Sequence, residues 1–212
     1  MYQWSRTARL VVGHPRDGMD WAVRITEKVN QISSVRSTLW ASFASPDAGM
    51  CAWSLMVEEP AELEEINSKL SVDNGFLTLA AESANYVADG TMQDRLATIV
   101  YATPGAAGGD FHWASVTTAT VTPGNVRRGT ELGVQFAQLA NQISGREAMF
   151  QTGITGEFGS VTWVLLADSF GQLQESEAKI NSDPSFLELI DNEASKAYQP
   201  MGAMVSCYRR IA

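Results

Sequence analysis

The chain has 212 residues, of which 45% are hydrophobic and 18% charged, a composition typical of a globular protein with one sizeable core or two small ones. Acidic side chains outnumber basic ones by 24 to 15, and the net charge of −9 disfavours nucleic acids and anionic membranes as partners, because both bind concentrated positive charge. The sequence contains no apolar run long enough for a transmembrane helix, and residues 1–9 do not resemble a signal peptide, so we expect no membrane insertion and a cytoplasmic location.

The first half of the chain predicts alternating strands and helices. Residues 7–14 form a β-type run that ends at His14, and turn-forming residues follow at 15–18. Asp20 is then placed to cap a helix, because apolar residues recur from Trp21 to Ile32 at helical spacing. The remaining elements are predicted as strands at 37–44 and 51–57 around a turn at 45–49, helices at 60–70 and 75–87, and a strand at 95–101.

The second half repeats this order. A strand at 116–122 and a turn at 123–125 precede a helix whose apolar residues, Leu132, Phe136, Ala140 and Ile143, have the same spacing. The later elements are predicted as strands at 148–155 and 160–167, helices at 170–181 and 184–197, and a strand at 204–210. Small residues dominate 104–110, which is typical of a flexible linker. We therefore predict a first repeat at 1–103, a linker at 104–110 and a second repeat at 111–212.

The two halves also share residues. The run Asn30-Gln31-Ile32-Ser33 returns as Asn141-Gln142-Ile143-Ser144, and a single-residue gap brings the later positions into register. The matched pairs include Trp53 with Trp163, Leu63 with Leu173, Lys69 with Lys179, Asp73 with Asp183, Phe76 with Phe186, and Ala84 with Ala194. A period of about 110 residues is too long for a solenoid repeat, so each copy is expected to be a whole small domain.

Each copy has the order βαββαβ, which predicts a ferredoxin-like layer, an antiparallel sheet covered by helices on one face. The other face of the sheet is apolar and needs a partner, which the second copy can supply. The predicted fold class is therefore α+β, with two tandem ferredoxin-like repeats packed sheet to sheet as an intramolecular dimeric α+β barrel. Fusion allows the two copies to diverge, so that different side chains can surround one cavity.

This order of elements, together with a set of residues, carries a resemblance to a known superfamily. The residues are Phe158-Gly159-Ser160-Val161-Thr162-Trp163, Leu173, Glu175, Lys179-Ile180 and Ser182-Asp183-Pro184-Ser185-Phe186-Leu187, echoed in the first copy at Trp53, Leu63, Glu65 and Phe76-Leu77. On these residues the chain resembles the dimeric α+β barrel superfamily, and within it a tandem NIPSNAP-like protein. The superfamily includes cofactor-free monooxygenases, polyketide cyclases, lactone isomerases, haem-binding enzymes and proteins without known activity. The resemblance implies a fold, and no catalytic signature carries over to named positions.

His14 is the titratable side chain of greatest interest. At the end of a predicted strand beside a cavity it could act as a general base, because an unperturbed imidazole titrates near neutral pH. The alternative is a surface histidine before Pro15. The matching place in the second copy holds Gly124 or Asn125, so His14 breaks the internal symmetry.

Three tryptophans are candidates for contact with a ligand. Trp40, Trp53 and Trp163 lie on predicted strands, where an aromatic ring can stack on a flat molecule. The matched pair Trp53 and Trp163 favours core packing, because positions that both copies retain serve the shared fold. Trp40 has no aromatic counterpart and is the better candidate for ligand binding.

Polar strand residues extend this candidate site. A row of hydroxyls on the first strand of the second copy can bind an oxygenated ligand or face solvent. The row consists of Thr118, Thr120 and Thr122, which we match with Ala8, Leu10 and Val12 in the first copy. Tyr208 and Arg210 end the last strand, where an arginine at the mouth of a cavity can hold a carboxylate or phenolate; a solvated strand end is the default alternative.

Two hypotheses about function follow. In the first, the chain is a cofactor-independent monooxygenase, cyclase or isomerase that acts on a small hydrophobic or aromatic molecule inside the barrel, with His14 transferring a proton. In the second, it is a non-enzymatic binding or interaction protein that works through its surface or by assembly. No cofactor and no metal are expected; haem binding is a minor alternative that needs a histidine as axial ligand. Sheet edges could also support a homo-oligomer.

Overall fold

The structure is a computed structural model that describes residues 1–46, 48–200 and 203–212. Its strands are β1 (Tyr2–Arg9), β2 (Thr38–Ser42), β3 (Met50–Val57), β4 (Gln93–Ala102), β5 (Trp113–Thr120), β6 (Ala148–Gly153), β7 (Ser160–Ala167) and β8 (Met204–Arg210). Its helices are α1 (Pro15–Ile32), α2 (Pro60–Val72), α3 (Asn74–Tyr86), α4 (Val126–Ser144), α5 (Phe170–Ser182), α6 (Pro184–Leu189) and α7 (Ser195–Ala197), with a π-helical segment (Ile190–Ala194) between α6 and α7. The predicted turn at 45–49 includes residue 47, which lies outside the described residues.

The eight strands form one antiparallel barrel. Hydrogen bonds join neighbouring strands in the closed order β1-β3-β2-β8-β5-β7-β6-β4. The predicted fold class, α+β with tandem ferredoxin-like repeats in a barrel, is confirmed. Within the described ranges, every helix is too short or too polar to cross a membrane.

Residue contacts divide the chain into two compact units. Unit 1 consists of Met1–Leu96 and Arg209–Ala212, and unit 2 consists of Ala97–Tyr208. Both β4 and β8 therefore contribute residues to each unit. In unit 1, Asp94 of β4 forms a 2.6 Å ion pair with Arg6 of β1. In unit 2, the later residues of β4 pair with β6. The predicted ends of the two sequence repeats, at residues 103 and 111, stay a prediction.

The segment 104–110, for which we predict a flexible linker, forms hydrogen-bonded turns. The amide of Ala106 donates to the Thr103 carbonyl, and the amide of Gly105 donates to the Glu147 carboxylate, each at 3.0 Å. Ala106 is only 4% exposed. Because Glu147 directly precedes β6, these bonds attach the segment to the start of that strand.

The boundary between β1 and α1 differs from the prediction. β1 ends at Arg9, and α1 begins at Pro15, inside the segment predicted as a turn. Proline suits the first position of a helix, because its φ is already helical and its missing N–H is not needed there. His14 therefore occupies the N-cap position of α1 and does not end a strand.

Strand register corrects one part of the internal alignment. The matched tryptophans Trp53 and Trp163 lie opposite Arg6 and Thr117, so Ala8 corresponds to Ala119. The match of Thr118, Thr120 and Thr122 with Ala8, Leu10 and Val12 is therefore wrong by one residue. Because side chains alternate along a strand, Thr118 and Thr120 lie on the face of β5 opposite to Ala119.

In unit 1, Trp21 of α1 fills the space between helices and sheet. Its side chain is 2% exposed and packs edge-on against Trp53, with ring centroids 6.0 Å apart. It stacks on Tyr86, and its indole N–H donates to the Leu79 carbonyl at 2.8 Å. One large side chain thus connects α1, α3 and the sheet.

In unit 2, α4 lies on the sheet through a close contact at Gly133. Phe150 of β6 is fully buried, and its ring lies 5.3 Å from that of Trp163 on β7. The indole N–H of Trp163 donates to the Gly133 carbonyl at 2.9 Å. α4 is capped at its C-terminus by Gly145, where φ is +67°, a backbone conformation that glycine adopts without strain.

Candidate functional site

A cavity of about 560 Å³ lies within unit 2. Residues of β5, β6, β7 and β8 line it on one side, and residues of α4, α5 and the chain from α6 through α7 line it on the other. Its buried wall includes Ala119, Phe136, Met149, Leu165, Ile180 and Tyr198, and its exposed rim includes Asn181, Ile190, Ser195 and Val205. Ligand pockets have volumes of about 300–1,000 Å³, so this cavity has room for an organic molecule of ordinary size.

Aromatic side chains form a large part of the described cavity lining. Trp163 packs edge-on against Tyr198, with ring centroids 5.3 Å apart, and against Phe136 at 6.1 Å. Phe186 lies 5.5 Å from Phe136. The Tyr198 hydroxyl donates to the Gly129 carbonyl at 2.5 Å, and burial raises the pKa of this phenol, so it stays protonated at neutral pH. Such rings can stack on a planar ligand or pack edge-on against it.

The second copy has smaller side chains at two positions of α4 and α5 and an aromatic side chain from a different element. Leu132 stands at the position of Trp21 in the internal repeat, and Ser176 stands at that of Ile66, which is 5% exposed. Tyr198 packs edge-on against Trp163 much as Trp21 packs against Trp53. The aromatic contact is therefore retained from a different element.

One extra residue in the second copy accounts for the π-helical segment. Asp73 and Asp183 cap the equivalent helices α3 and α6 with their side chains. α3 closes with a bond from the Val87 amide to Ser83, and the run from α6 through α7 closes with the equivalent bond from the Tyr198 amide to Ala194, both 2.8 Å long. Ten positions separate Asp73 from Ser83, but eleven separate Asp183 from Ala194. Ala194 therefore corresponds to Ser83, and the sequence match with Ala84 is wrong.

The extra residue is accommodated in the π-helical segment at the cavity. Ile190 and Ala194, the first and last residues of this segment, both line the cavity. π-helical turns inside helices are rare and occur frequently at functional sites. The equivalent region of the first copy is the continuous helix α3. The divergence between the two copies thus coincides with the cavity.

Of the described residues that line the cavity, two are ionisable, Glu177 and Tyr198. Glu177 lies half-buried on α5, with Asn181 one turn further along the same helix. Burial, together with the charge of Glu177, raises the pKa of the Cys207 thiol to about 11, so this thiol is protonated and unreactive at neutral pH. Glu177 therefore supplies the negative charge of the cavity.

Of the predicted site residues, Trp163 alone lines this cavity. Trp53 is 6% exposed in the core of unit 1, where its indole N–H donates to the Thr26 hydroxyl at 2.9 Å. Trp40, also in unit 1, is half-buried and donates to the Ser54 hydroxyl at 3.0 Å. These two indoles have partners within their own unit, which is what core packing requires.

The polar residues predicted for the site also lie elsewhere. Thr120 is 8% exposed and lies on the face of β5 turned away from Ala119 of the cavity wall. Tyr208 and Arg210 are half-buried on β8, the first in unit 2 and the second in unit 1, and neither lines the cavity. Ligand contacts by these residues stay a prediction.

The side chain of His14 is 70% exposed on unit 1, with Nδ1 3.6 Å from the Asp17 carboxylate. It is not among the residues that line the cavity of unit 2. Proton transfer by His14 stays a prediction, and its exposure argues against it, because a catalytic base works best where water is excluded.

Sequence reasoning missed Phe136, Phe186, Glu177 and Tyr198 as site residues, since helical periodicity marks apolar residues as core without showing whether the core is full. A comparison of the two copies contains a usable signal. Glu177 stands where the first copy has Asn67, and Tyr198 stands where it has Val87. Both differences place a new chemical group at the cavity.

Haem does not fit this cavity. Its described lining contains no histidine and no cysteine, and the phenol of Tyr198 is already bonded to the Gly129 carbonyl. Both histidines are exposed, so neither is enclosed by the apolar surroundings that a haem pocket provides. Among the described residues, no group of three or more His, Cys, Asp or Glu side chains is placed to hold a metal ion.

No protein-family model matches the sequence, and no curated protein matches it by sequence. Solved structures are similar in fold. A candidate monooxygenase of Fusobacterium nucleatum has a TM-score of 0.74 at 9% identity, covering 100% of this chain and 92% of its own. An anthrone oxidase-like protein has a TM-score of 0.69 at 11% identity, with coverages of 100% and 91%.

A haem-binding protein of Thermus thermophilus has a TM-score of 0.53 at 10% identity, covering 100% of this chain and 91% of its own. At such identities the likeness concerns the fold, and one fold supports many activities. The chain thus has the α+β barrel fold that its sequence resemblance implied.

Proposed function

We propose that this chain binds a small apolar molecule with aromatic character in the cavity of unit 2. The observation that carries the proposal is a cavity of about 560 Å³, lined by Trp163, Phe136, Phe186 and Tyr198 and open to solvent at its rim. Burial of apolar ligand surface supplies affinity of about 25 cal/mol per Å², and a few polar groups then fix the orientation.

The internal repeat supports this proposal. Protein interiors normally leave few voids larger than a water molecule, so an apolar space of this size needs a reason. Trp21 shows that the same scaffold can fill the region between helix and sheet with one side chain. The second copy has the smaller Leu132 instead, together with a helix interruption at the rim. The helix interruption lies at the cavity, since its first and last residues, Ile190 and Ala194, line it, and this favours a space for a ligand.

The proposal is tested with the neutral fluorescent probe N-phenyl-1-naphthylamine, whose emission rises in apolar surroundings. Ala140 of α4 lines the cavity, and Ala140→Phe places a ring inside it. We expect the variant to bind the probe at least about tenfold more weakly, a loss of about 1.4 kcal/mol, because the ring takes the place of the probe. Its Tm should not fall, because the ring fills existing space.

The matched control is Ala178→Phe, which adds the same ring on the exposed side of α5. It should bind the probe like the unmodified chain. If the unmodified chain does not bind the probe, or if Ala140→Phe binds it equally well, the cavity is not a binding site. Native mass spectrometry of the purified protein adds a direct readout, since a co-purified molecule should disappear in the Ala140→Phe variant.

An enzyme function is tested at this cavity, which lies between sheet and helices and not inside the barrel as the sequence hypothesis has it. The substrate tried is anthrone, because one of the similar structures is an anthrone oxidase-like protein. In the expected reaction anthrone and O2 give anthraquinone and one water, so one oxygen atom enters the product and the other leaves as water. A catalysed rate should exceed the spontaneous rate and disappear in Ala140→Phe. Equal rates with and without the protein would show that the chain does not catalyse anthrone oxidation, and ligand binding alone would remain as its proposed function.

A further inference from the structure

Glu177 places a negative charge at the cavity. Among the described residues it forms no ion pair. Lys179 is the basic residue of α5, and its ammonium pairs with Glu175 on the exposed side of the helix, at 2.7 Å. A carboxylate beside apolar surface is costly to leave unpaired, because burial removes part of its hydration.

The charge of Glu177 acts inside the cavity region and not only in the solvent. It contributes, after burial, to the raised pKa of the Cys207 thiol on β8. Cys207 packs against an apolar cluster that includes Leu165 and Ile180, two residues of the cavity wall. Apolar walls of low polarisability strengthen such fields relative to bulk water.

The acid is specific to the copy that carries the cavity. The first copy has the neutral and exposed Asn67 at the matching position of α2. Asn181, one turn after Glu177, adds an amide group to the same rim. A net charge of −9 further raises the local concentration of organic cations and lowers that of anions.

We infer that the cavity prefers organic cations, that is, ligands with an aromatic body that lies against Trp163 and Phe136 and a protonated amine that pairs with Glu177. This inference rests on the proposed function and names the chemical class of its ligand. The amine replaces the missing counter-ion of the carboxylate with a charge-assisted hydrogen bond. An anion of the same shape meets like charge and is rejected.

The test uses three indoles of similar shape as competitors of N-phenyl-1-naphthylamine: tryptamine, which is cationic at pH 7, the neutral 3-ethylindole, and the anionic indole-3-propionate. We expect tryptamine to bind about tenfold more tightly than 3-ethylindole, and indole-3-propionate to bind more weakly than both. Raising the salt concentration should reduce the advantage of tryptamine, because ions screen a partly exposed pair.

Glu177→Gln keeps the shape of the side chain and removes its charge, and it should bring the three affinities within about twofold of each other. The matched control is Glu175→Gln on the same helix, which should keep the order, because Glu175 is paired with Lys179 away from the cavity. An unchanged order in Glu177→Gln, equal affinities in the unmodified chain, or no competition by any indole would overturn the inference. Failure of the fluorescent probe itself to bind would instead overturn the proposed function.

Discussion

Gly133→Ala is expected to lower the free energy of unfolding by about 3 kcal/mol, the upper part of the range for an overpacked core. A Cβ on Gly133 would lie 2.1 Å from Cζ and 2.3 Å from Cε2 of Phe150. Phe150 is completely buried and cannot swing into solvent. The helix α4 must therefore move away from the sheet, which also lengthens the hydrogen bond from Trp163 to the Gly133 carbonyl.

The internal repeat supplies a compensating change for this variant. The first copy has Ala22 and Leu39 at the places of Gly133 and Phe150, and both are fully buried. Phe150→Leu alone should cost about 1–2 kcal/mol through the space it leaves. The double variant should be more stable than the sum of the single losses predicts, by a coupling energy of about 2 kcal/mol. Unfolding by denaturant, with circular dichroism and fluorescence as probes, measures all four states of this cycle.

Gly171→Ala is the control for this cycle. Gly171 also lies in a helix, but nothing lies within 4 Å of the place its Cβ would take. Alanine should stabilise that helix by up to about 1 kcal/mol, since it has the higher helix propensity. A Gly133→Ala variant as stable as the unmodified chain, or a cycle without coupling, would mean that Phe150 does not hold α4 at this distance from the sheet.

Deletion of Asn192 is expected to weaken binding of N-phenyl-1-naphthylamine at least about tenfold, a loss of about 1.4 kcal/mol. Asn192 is exposed and lies in the middle of the π-helical segment. Its removal restores the residue count of α3 in the first copy, so a regular α-helix can run to Tyr198. The wall formed by Ile190 and Ala194 is then rebuilt, and we expect the opening of the cavity to close.

The control for this deletion is Asn192→Ala, which keeps the chain length and should bind the probe normally. The Tm of the deletion variant should stay level or rise, because a regular α-helix replaces a rare π-helical turn. Ala194→Leu provides a second route to the same result, since it fills the rim without changing the helix. Normal binding by the deletion variant would show that the π-helical segment does not shape the site.

Much of the architecture could be predicted because it is encoded in local and repeated patterns. The helical spacing that begins at Trp21 recurs from Leu132, and the matched run Asn141-Gln142-Ile143-Ser144 marks the duplication. A βαββαβ order leaves one face of a sheet uncovered, so the barrel follows from the presence of two copies. The errors lie at boundaries, as at Pro15, where the same residue can end a turn or begin a helix.

Most residues of the candidate site could not be predicted from the sequence. Trp163 was predicted, but its neighbours Phe136 and Tyr198 carry the ordinary signature of core residues. His14 attracted a catalytic hypothesis because it breaks the symmetry, yet it is 70% exposed at the start of α1. The differences between the two copies that lie at the cavity are Glu177 in place of Asn67 and one inserted residue in the π-helical segment that begins at Ile190. A cytoplasmic location and a homo-oligomer stay predictions.

The sequence by itself determined that two related domains share one chain, and which elements each domain contains in which order. Hydrophobic periodicity and repeated residues are properties of the linear sequence and need no tertiary contacts to be recognised. Only the tertiary structure decided where the second copy leaves space. The volume of the cavity is a small difference between the large volumes of the packed side chains around it. Those side chains belong to strands and helices that are distant in sequence, so no local pattern shows whether they are in contact.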